Sequence, residues 1–200
     1  MVIKQVQFIT SVGDIKQLPV NEMPEIAIAG RSNVGKSSFI NYITNNSKLA
    51  YTSKTPGRTR LLNYYLCNNE FNLVDLPGYG FAKVPRQELD KWRILMENYF
   101  SASKSLKLVF VLIDVRRDPN NDDITLVNYL HHYAIPFTIV VTKSDKLSKM
   151  QVNKRLINIT SVLGAGRDNA VIMSALKKIG KDEILAEIYK ALTIGEIVNF

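Results

Sequence analysis

The stretch EIAIAGRSNVGKSSFINYI, residues 25–43, constrains this chain more than any other. An all-apolar run suited to a buried parallel strand meets a glycine, crosses a short loop and enters the apolar spacing of a helix. G-x-x-x-x-G-K-[ST] between a strand and a helix is the signature of a loop that wraps phosphate groups. Gly30 and Gly35 let the backbone of Arg31, Ser32, Asn33 and Val34 turn tightly. Successive N–H groups then face the anion, and the following helix directs its positive end at the same charge. Lys36 is placed to reach the β- and γ-phosphates of a nucleotide, and Ser37, ahead of Ser38, to offer its hydroxyl to Mg²⁺. A glycine-rich turn of purely structural purpose leaves the Lys-Ser pair unexplained.

Short apolar runs alternate with amphipathic segments, with no repeat or long linker between them, which predicts an α/β fold with a mostly parallel sheet and helices on both faces. Six strands are expected: 25–29, 61–67, 71–76, 106–113, 137–142 and 170–173. Helices are expected to begin near Lys36, Arg86, Asp122, Lys149 and Lys181. The whole is the three-layer P-loop NTPase architecture, read as one domain over 1–200 with its core at about 24–192. Residues 1–23 carry little signal beyond a possible peripheral strand. Cys67 is the only cysteine, so no internal disulfide forms and a reducing cytoplasm fits. The apolar run from Leu108 to Ile113 is too short to span a bilayer, so no membrane partner is expected. The absence of a coiled-coil repeat points to a monomer. A net charge of +8 suits a polyanionic partner such as RNA, or equally a solvated basic surface.

Two further landmarks follow the loop in order. In NLVDLPGYG, Asp75 ends an apolar run, where a carboxylate can hold Mg²⁺ through water. Leu76 and Pro77 lead to Gly78, whose N–H can meet the γ-phosphate. In PFTIVVTKSDK, a strand runs into Thr142, Lys143, Ser144 and Asp145. Guanine presents N1–H and N2–H side by side, a donor pair that one carboxylate accepts and adenine lacks, so Asp145 selects GTP and GDP, while Lys143 can lay its aliphatic stem across the ring. One strand later, Ser174, Ala175 and Leu176 stand where a loop backbone can approach the guanine O6.

The segments PEIAIAGRSNVGKSSFIN, TSKTPGRTRLLNYY, VDLPGYGFAKV, NNDD, YAIPFTIVVTKSDK and SALKKIGKDE, from about Pro24 to Leu192, resemble translation-factor-class GTPases. More narrowly, they resemble the EngB (YihA/YsxC) family, within the TrmE-Era-EngA-EngB-septin-like group. The resemblance implies a Ras-like G domain that hydrolyses GTP, with Lys36, Thr59 and Gly78 as catalytic residues. It singles out Thr59 as the switch threonine that joins Ser37 on Mg²⁺, with Gly57, Arg58, Arg60 and Leu61 beside it at the nucleotide. It further implies a partner, the large ribosomal subunit or its precursor, and a link to septation and cell division. The alternative is a nucleotide-dependent septal scaffold that leaves the ribosome alone. Lys54, Arg58, Arg60, Lys83 and Arg86 cluster around the two switch segments and could face RNA. Tyr79 stands where Ras-like enzymes carry the glutamine that orients water, so intrinsic hydrolysis is expected to be slow. Asn33 has two readings, a residue beside a bound K⁺ or a loop residue that tolerates unusual backbone angles.

Overall fold

The computed structural model describes residues 1–14, 17, 19, 23–50, 61–80 and 86–193, the side chains of 86–92 and 102 excepted. In chain order the elements are β1 (Val6–Val12), β2 (Glu25–Gly30), α1 (Lys36–Ile43), β3 (Leu62–Cys67), β4 (Phe71–Asp75) and α2 (Arg86–Ala102). They continue as β5 (Leu106–Asp114), α3 (Asn121–His132), β6 (Phe137–Thr142), α4 (Lys149–Val162), β7 (Ala170–Ile172) and α5 (Lys181–Thr193).

One sheet runs in the order β1-β3-β4-β2-β5-β6-β7. The run from β4 to β7 is parallel, and β3 and β1 are antiparallel additions at one edge. Successive residues of a strand point to opposite faces, and the core splits accordingly. Ile26 and Ile28 of β2 pack with Phe39, Ile40 and Ile43 of α1 and with Ile184, Leu185 and Ile188 of α5. Ala27 and Ala29 face the other way, into a cluster with Tyr99 of α2, Val127 of α3 and Ile159 of α4. Such a sheet, covered by helices on both faces, is the three-layer architecture expected from the alternating pattern.

The sheet has seven strands among the described residues, one more than expected. β1 is the addition, in the region that offered only a possible peripheral strand. As an edge strand it buries only Val12 fully, so its sequence lacks the continuous apolar run that marks the central strands. It is held largely by backbone pairing with β3, and at its start Asn68 accepts from the Lys4 and Gln5 N–H groups. Asn68 itself sits in the β3–β4 hairpin, where it and Asn69 have φ of 52° and 57°. Two consecutive positive φ values define the hairpin turn whose twist matches that of its strands, and asparagine tolerates them best after glycine.

Candidate functional site

The carboxyl ends of β2, β4, β5, β6 and β7 all face the same edge of the sheet, and the residues singled out from the sequence gather there. Gly35 caps α1 with φ of 113°, a left-handed conformation that favours glycine, and offers no side chain to the helix. No acidic residue stands in the first turn of α1. Its leading N–H groups therefore meet no competing carboxylate from their own helix, the electrostatics an anion requires.

Lys36, the first residue of α1, lies 3.8 Å from Asp75 Oδ1, with both side chains nearly buried. Burial raises the Asp75 carboxyl above its ordinary range, and the Lys36 charge pulls the other way. Oδ1 has no hydrogen-bond partner. Leu76 N–H donates to the Ile28 carbonyl, which keeps the segment after β4 alongside β2. Gly78 then passes so close to the phosphate loop that a Cβ there would lie 3.1 Å from Ser32 Oγ and 3.3 Å from Lys36 Nζ. A side chain there would press on Ser32 and Lys36 by a few tenths of an ångström, so glycine suits the approach. Pro77 and Gly78 are buried, Ser37 is half-buried and Ser38 is exposed.

The exit of β6 is tied directly to the phosphate loop. Thr142 Oγ1 donates to the Val34 carbonyl at 2.8 Å, and Lys143 Nζ donates to the Asn33 carbonyl at 2.6 Å. Lys143 also pairs with Asp114 Oδ2 at 2.9 Å. The aliphatic stem of Lys143 thus runs beside the loop, its Cε 3.9 Å from where a Gly35 Cβ would be. Asp145 Oδ1 accepts from Ser174 Oγ at 2.6 Å, and this hydrogen bond leads the effects that hold its carboxyl below the ordinary value. The carboxylate is therefore ionised and oriented. Ser144 N–H donates to the Met173 carbonyl, which joins the two loops. Ala175 is half-buried and Leu176 points outward, 72% exposed.

Leu61 lies immediately before β3 and is 40% exposed. Gly57, Arg58, Thr59 and Arg60 fall outside the described residues, as do Lys54, Lys83 and the Arg86 side chain. Asn33 has φ of 62°, so its tolerance of that angle suits its place in the loop.

Three contributors escaped the sequence reading. Asp114, at the end of β5, takes a paired hydrogen bond from Arg116 as well as the Lys143 amine. Burial alone would raise its carboxyl, but the hydrogen bonds from Arg116 and Lys143 outweigh it and hold the group well below the usual carboxylate range. Its one sequence signal was a carboxylate at a strand end on the switch-point edge, the same signal that marked Asp75. Ser174, expected to contribute its backbone, gives its hydroxyl to Asp145. Asp123, in the first turn of α3, receives the Tyr79 hydroxyl at 2.8 Å. Tyr79 is thus turned into the core, 4% exposed.

The fold is that of the guanine-nucleotide-binding P-loop GTPases, and a carboxylate held as Asp145 is suits the donor pair that guanine has and adenine lacks. Residues 25–143 match the family described as 50S ribosome-binding GTPase. Over 197 residues the chain is 45% identical to the protein named "Probable GTP-binding protein EngB" of Exiguobacterium sp., spanning 98% of this chain and 100% of that one. The chain belongs to the EngB family of GTP-binding proteins, and it is a GTPase. The crystal structure of "a probable GTP-binding protein engB" superposes with a TM-score of 0.71 at 22% identity, covering 84% of this chain and 98% of that one. Aquifex aeolicus Era bound to GDP.AlF4- gives 0.66 at 23% identity, over 84% of this chain and 56% of that one. Both share the fold. No helix among the described residues is long and apolar enough to cross a membrane.

Proposed function

We propose that this GTPase is a cytoplasmic molecular switch in assembly of the large ribosomal subunit, engaging precursor particles with GTP bound and leaving after hydrolysis, and that normal septation depends on that work. The observation that carries the reading is the match of residues 25–143 to the family described as 50S ribosome-binding GTPase. The net charge of +8 supports contact with RNA phosphates.

In this reading the amides of the phosphate loop and Lys36 hold the β- and γ-phosphates, and the Gly78 N–H meets the γ-phosphate alone. Asp145 and Lys143 hold the base. The residues fit a Mg²⁺ ion: the buried Asp75 Oδ1 lacks a hydrogen-bond partner, and its carboxyl, raised by burial, would be drawn back by a nearby cation. Ser37 and Thr59 would be direct ligands and Asp75 a ligand through water, and the ion would neutralise charge on the two outer phosphates. Asn33, exposed on the loop, would stand beside K⁺ if that ion assists, so hydrolysis compared in KCl and NaCl tests this part of the proposal. Tyr79, hydrogen-bonded to Asp123 and buried, does not orient water, so intrinsic hydrolysis is slow and the particle or another partner raises it.

Sedimentation with large ribosomal subunits tests the output, with the protein carrying GDP or a non-hydrolysable GTP analogue at two salt concentrations. Co-migration favoured by the analogue and weakened by salt is expected. Absence of co-migration in both states would remove the ribosome as partner and leave the GTPase chemistry standing.

A further inference from the structure

Tyr79 is gripped at two points. Its carbonyl accepts from the Ser32 N–H of the phosphate loop at 2.9 Å, and Arg31 and Tyr79 form an isolated parallel bridge. Its hydroxyl crosses to α3 and donates to Asp123 Oδ1 at 2.8 Å. Asp123 is 1% exposed, and its other oxygen accepts the Asn120 N–H in the capping box of α3. That carboxylate is therefore fixed to a rigid helix end, and the phenol is fixed to it by a charge-assisted hydrogen bond in a buried setting. One residue earlier, Gly78 runs so close to the phosphate loop that an added Cβ would lie 3.1 Å from Ser32 Oγ and 3.3 Å from Lys36 Nζ.

We propose that Tyr79 is a positioning residue: through its bond to Asp123 it latches Gly78 against the phosphate loop and so sets how strongly the site prefers GTP over GDP. The proposal rests on the reading of Gly78 as the γ-phosphate contact. GDP is held by the phosphate loop and the base loops, none of which needs Gly78 in place. GTP alone gains from an amide already held at the third phosphate. Cutting the latch leaves Gly78 free to move, and the cost of ordering it again falls on GTP binding only.

The test is Tyr79→Phe, which removes one hydroxyl and keeps the packed ring. Affinities for GDP and for a non-hydrolysable GTP analogue are measured with Mg²⁺ present. Loss of a hydrogen bond to a charged acceptor predicts analogue affinity reduced about five- to tenfold, with GDP affinity within about twofold of the parent. Tyr99→Phe is the matched control, because Tyr99 gives an equally buried hydroxyl to Glu25 at 2.8 Å, at the far edge of the sheet. It should lower stability without changing the GTP-to-GDP ratio. In an Asp123→Asn background the effect of Tyr79→Phe on that ratio should shrink, as it must if the two groups act through one bond.

Equal loss of both nucleotides, no change in either, or the same ratio change from Tyr99→Phe would overturn the latch. Should Gly78→Ala bind the analogue as tightly as the unmutated protein does, the γ-phosphate reading itself fails and the latch falls with it. A normal Gly78→Ala defect with an inert Tyr79→Phe would overturn the latch alone.

Discussion

Asp114→Asn separates the role of the Asp114 carboxylate from its shape. Lys143 has two anchors, the Asn33 carbonyl at 2.6 Å and Asp114 Oδ2 at 2.9 Å. The amide is nearly isosteric but uncharged, so it takes the charge out of the second anchor and leaves the first intact. Asp114 is 5% exposed at its side chain and Lys143 29%, so solvent screens the pair only in part. A hydrogen bond to a charged partner in such a place contributes on the order of 1.5 kcal/mol, the low end of the charged range. Arg116 is 45% exposed and recovers much of its loss from water. If Lys143 serves as the platform for the base, most of that 1.5 kcal/mol appears in binding, which is about a tenfold rise in Kd. The rise should be equal for GDP and a GTP analogue, because the base is common to both. The ratio of guanine to xanthine nucleotide should hold, because Asp145 and Ser174 are untouched. Fluorescence titration with labelled nucleotides measures all three. Affinity unchanged within twofold would refute the platform argument, and a shifted base ratio would show that Asp114 acts on Asp145 instead.

Asp145→Asn puts an amide where guanine presents donors; guanine nucleotide affinity should fall about a hundredfold, with preference moving toward xanthine, and retained guanine selectivity in a competition assay would contradict the role given to Asp145. Gly180 has φ of 85° and its missing Cβ would strike the Ile172 carbonyl, so Gly180→Ala should cost about 3 kcal/mol or more, read as a lowered denaturant midpoint. Glu25 is raised above its ordinary value first by burial, against the hydrogen bonds from Tyr99 and Ser103, so its ionised form weighs on the folded state at neutral pH. Its contribution to stability is fully present below the unfolded value of 4.5 and is lost as pH rises through the higher folded value. Glu25→Gln should therefore gain relative to the parent at pH 7 and lose that gain as pH falls toward 4.5, measured by urea denaturation at each pH.

The parts of this protein legible in its sequence are those whose chemistry is local along the chain. A loop that wraps a phosphate does so with consecutive N–H groups, so the motif from Gly30 to Ser38 is contiguous and could be read as a string. The central strands are covered on both faces, so Ile26 to Ala29 or Val109 to Ile113 show an unbroken apolar run that admits few other structures. β1 shows none because one of its faces meets water, and its place is decided by the β3 backbone, which no side-chain pattern reports. Thr59 stood apart from Thr52 and Thr55 by resemblance alone.

Asp114, Asp123 and the Ser174 hydroxyl failed to announce themselves for a different reason. Each acts on a partner in another loop: Asp114 on Lys143, Asp123 on Tyr79, Ser174 on Asp145. What brings these pairs together is the parallel sheet, which sets five strand ends side by side on one edge although they are scattered along the chain. The same geometry explains what Tyr79 does in the position after Gly78. It stands where Ras-like enzymes carry a water-orienting glutamine, and α3 lies near enough to take its hydroxyl onto Asp123. A side chain that leaves the reaction in this way still acts on it if the backbone it pulls carries the amide that reads the γ-phosphate, which is why the GTP-to-GDP affinity ratio, and not the hydrolysis rate alone, reports what Tyr79 does.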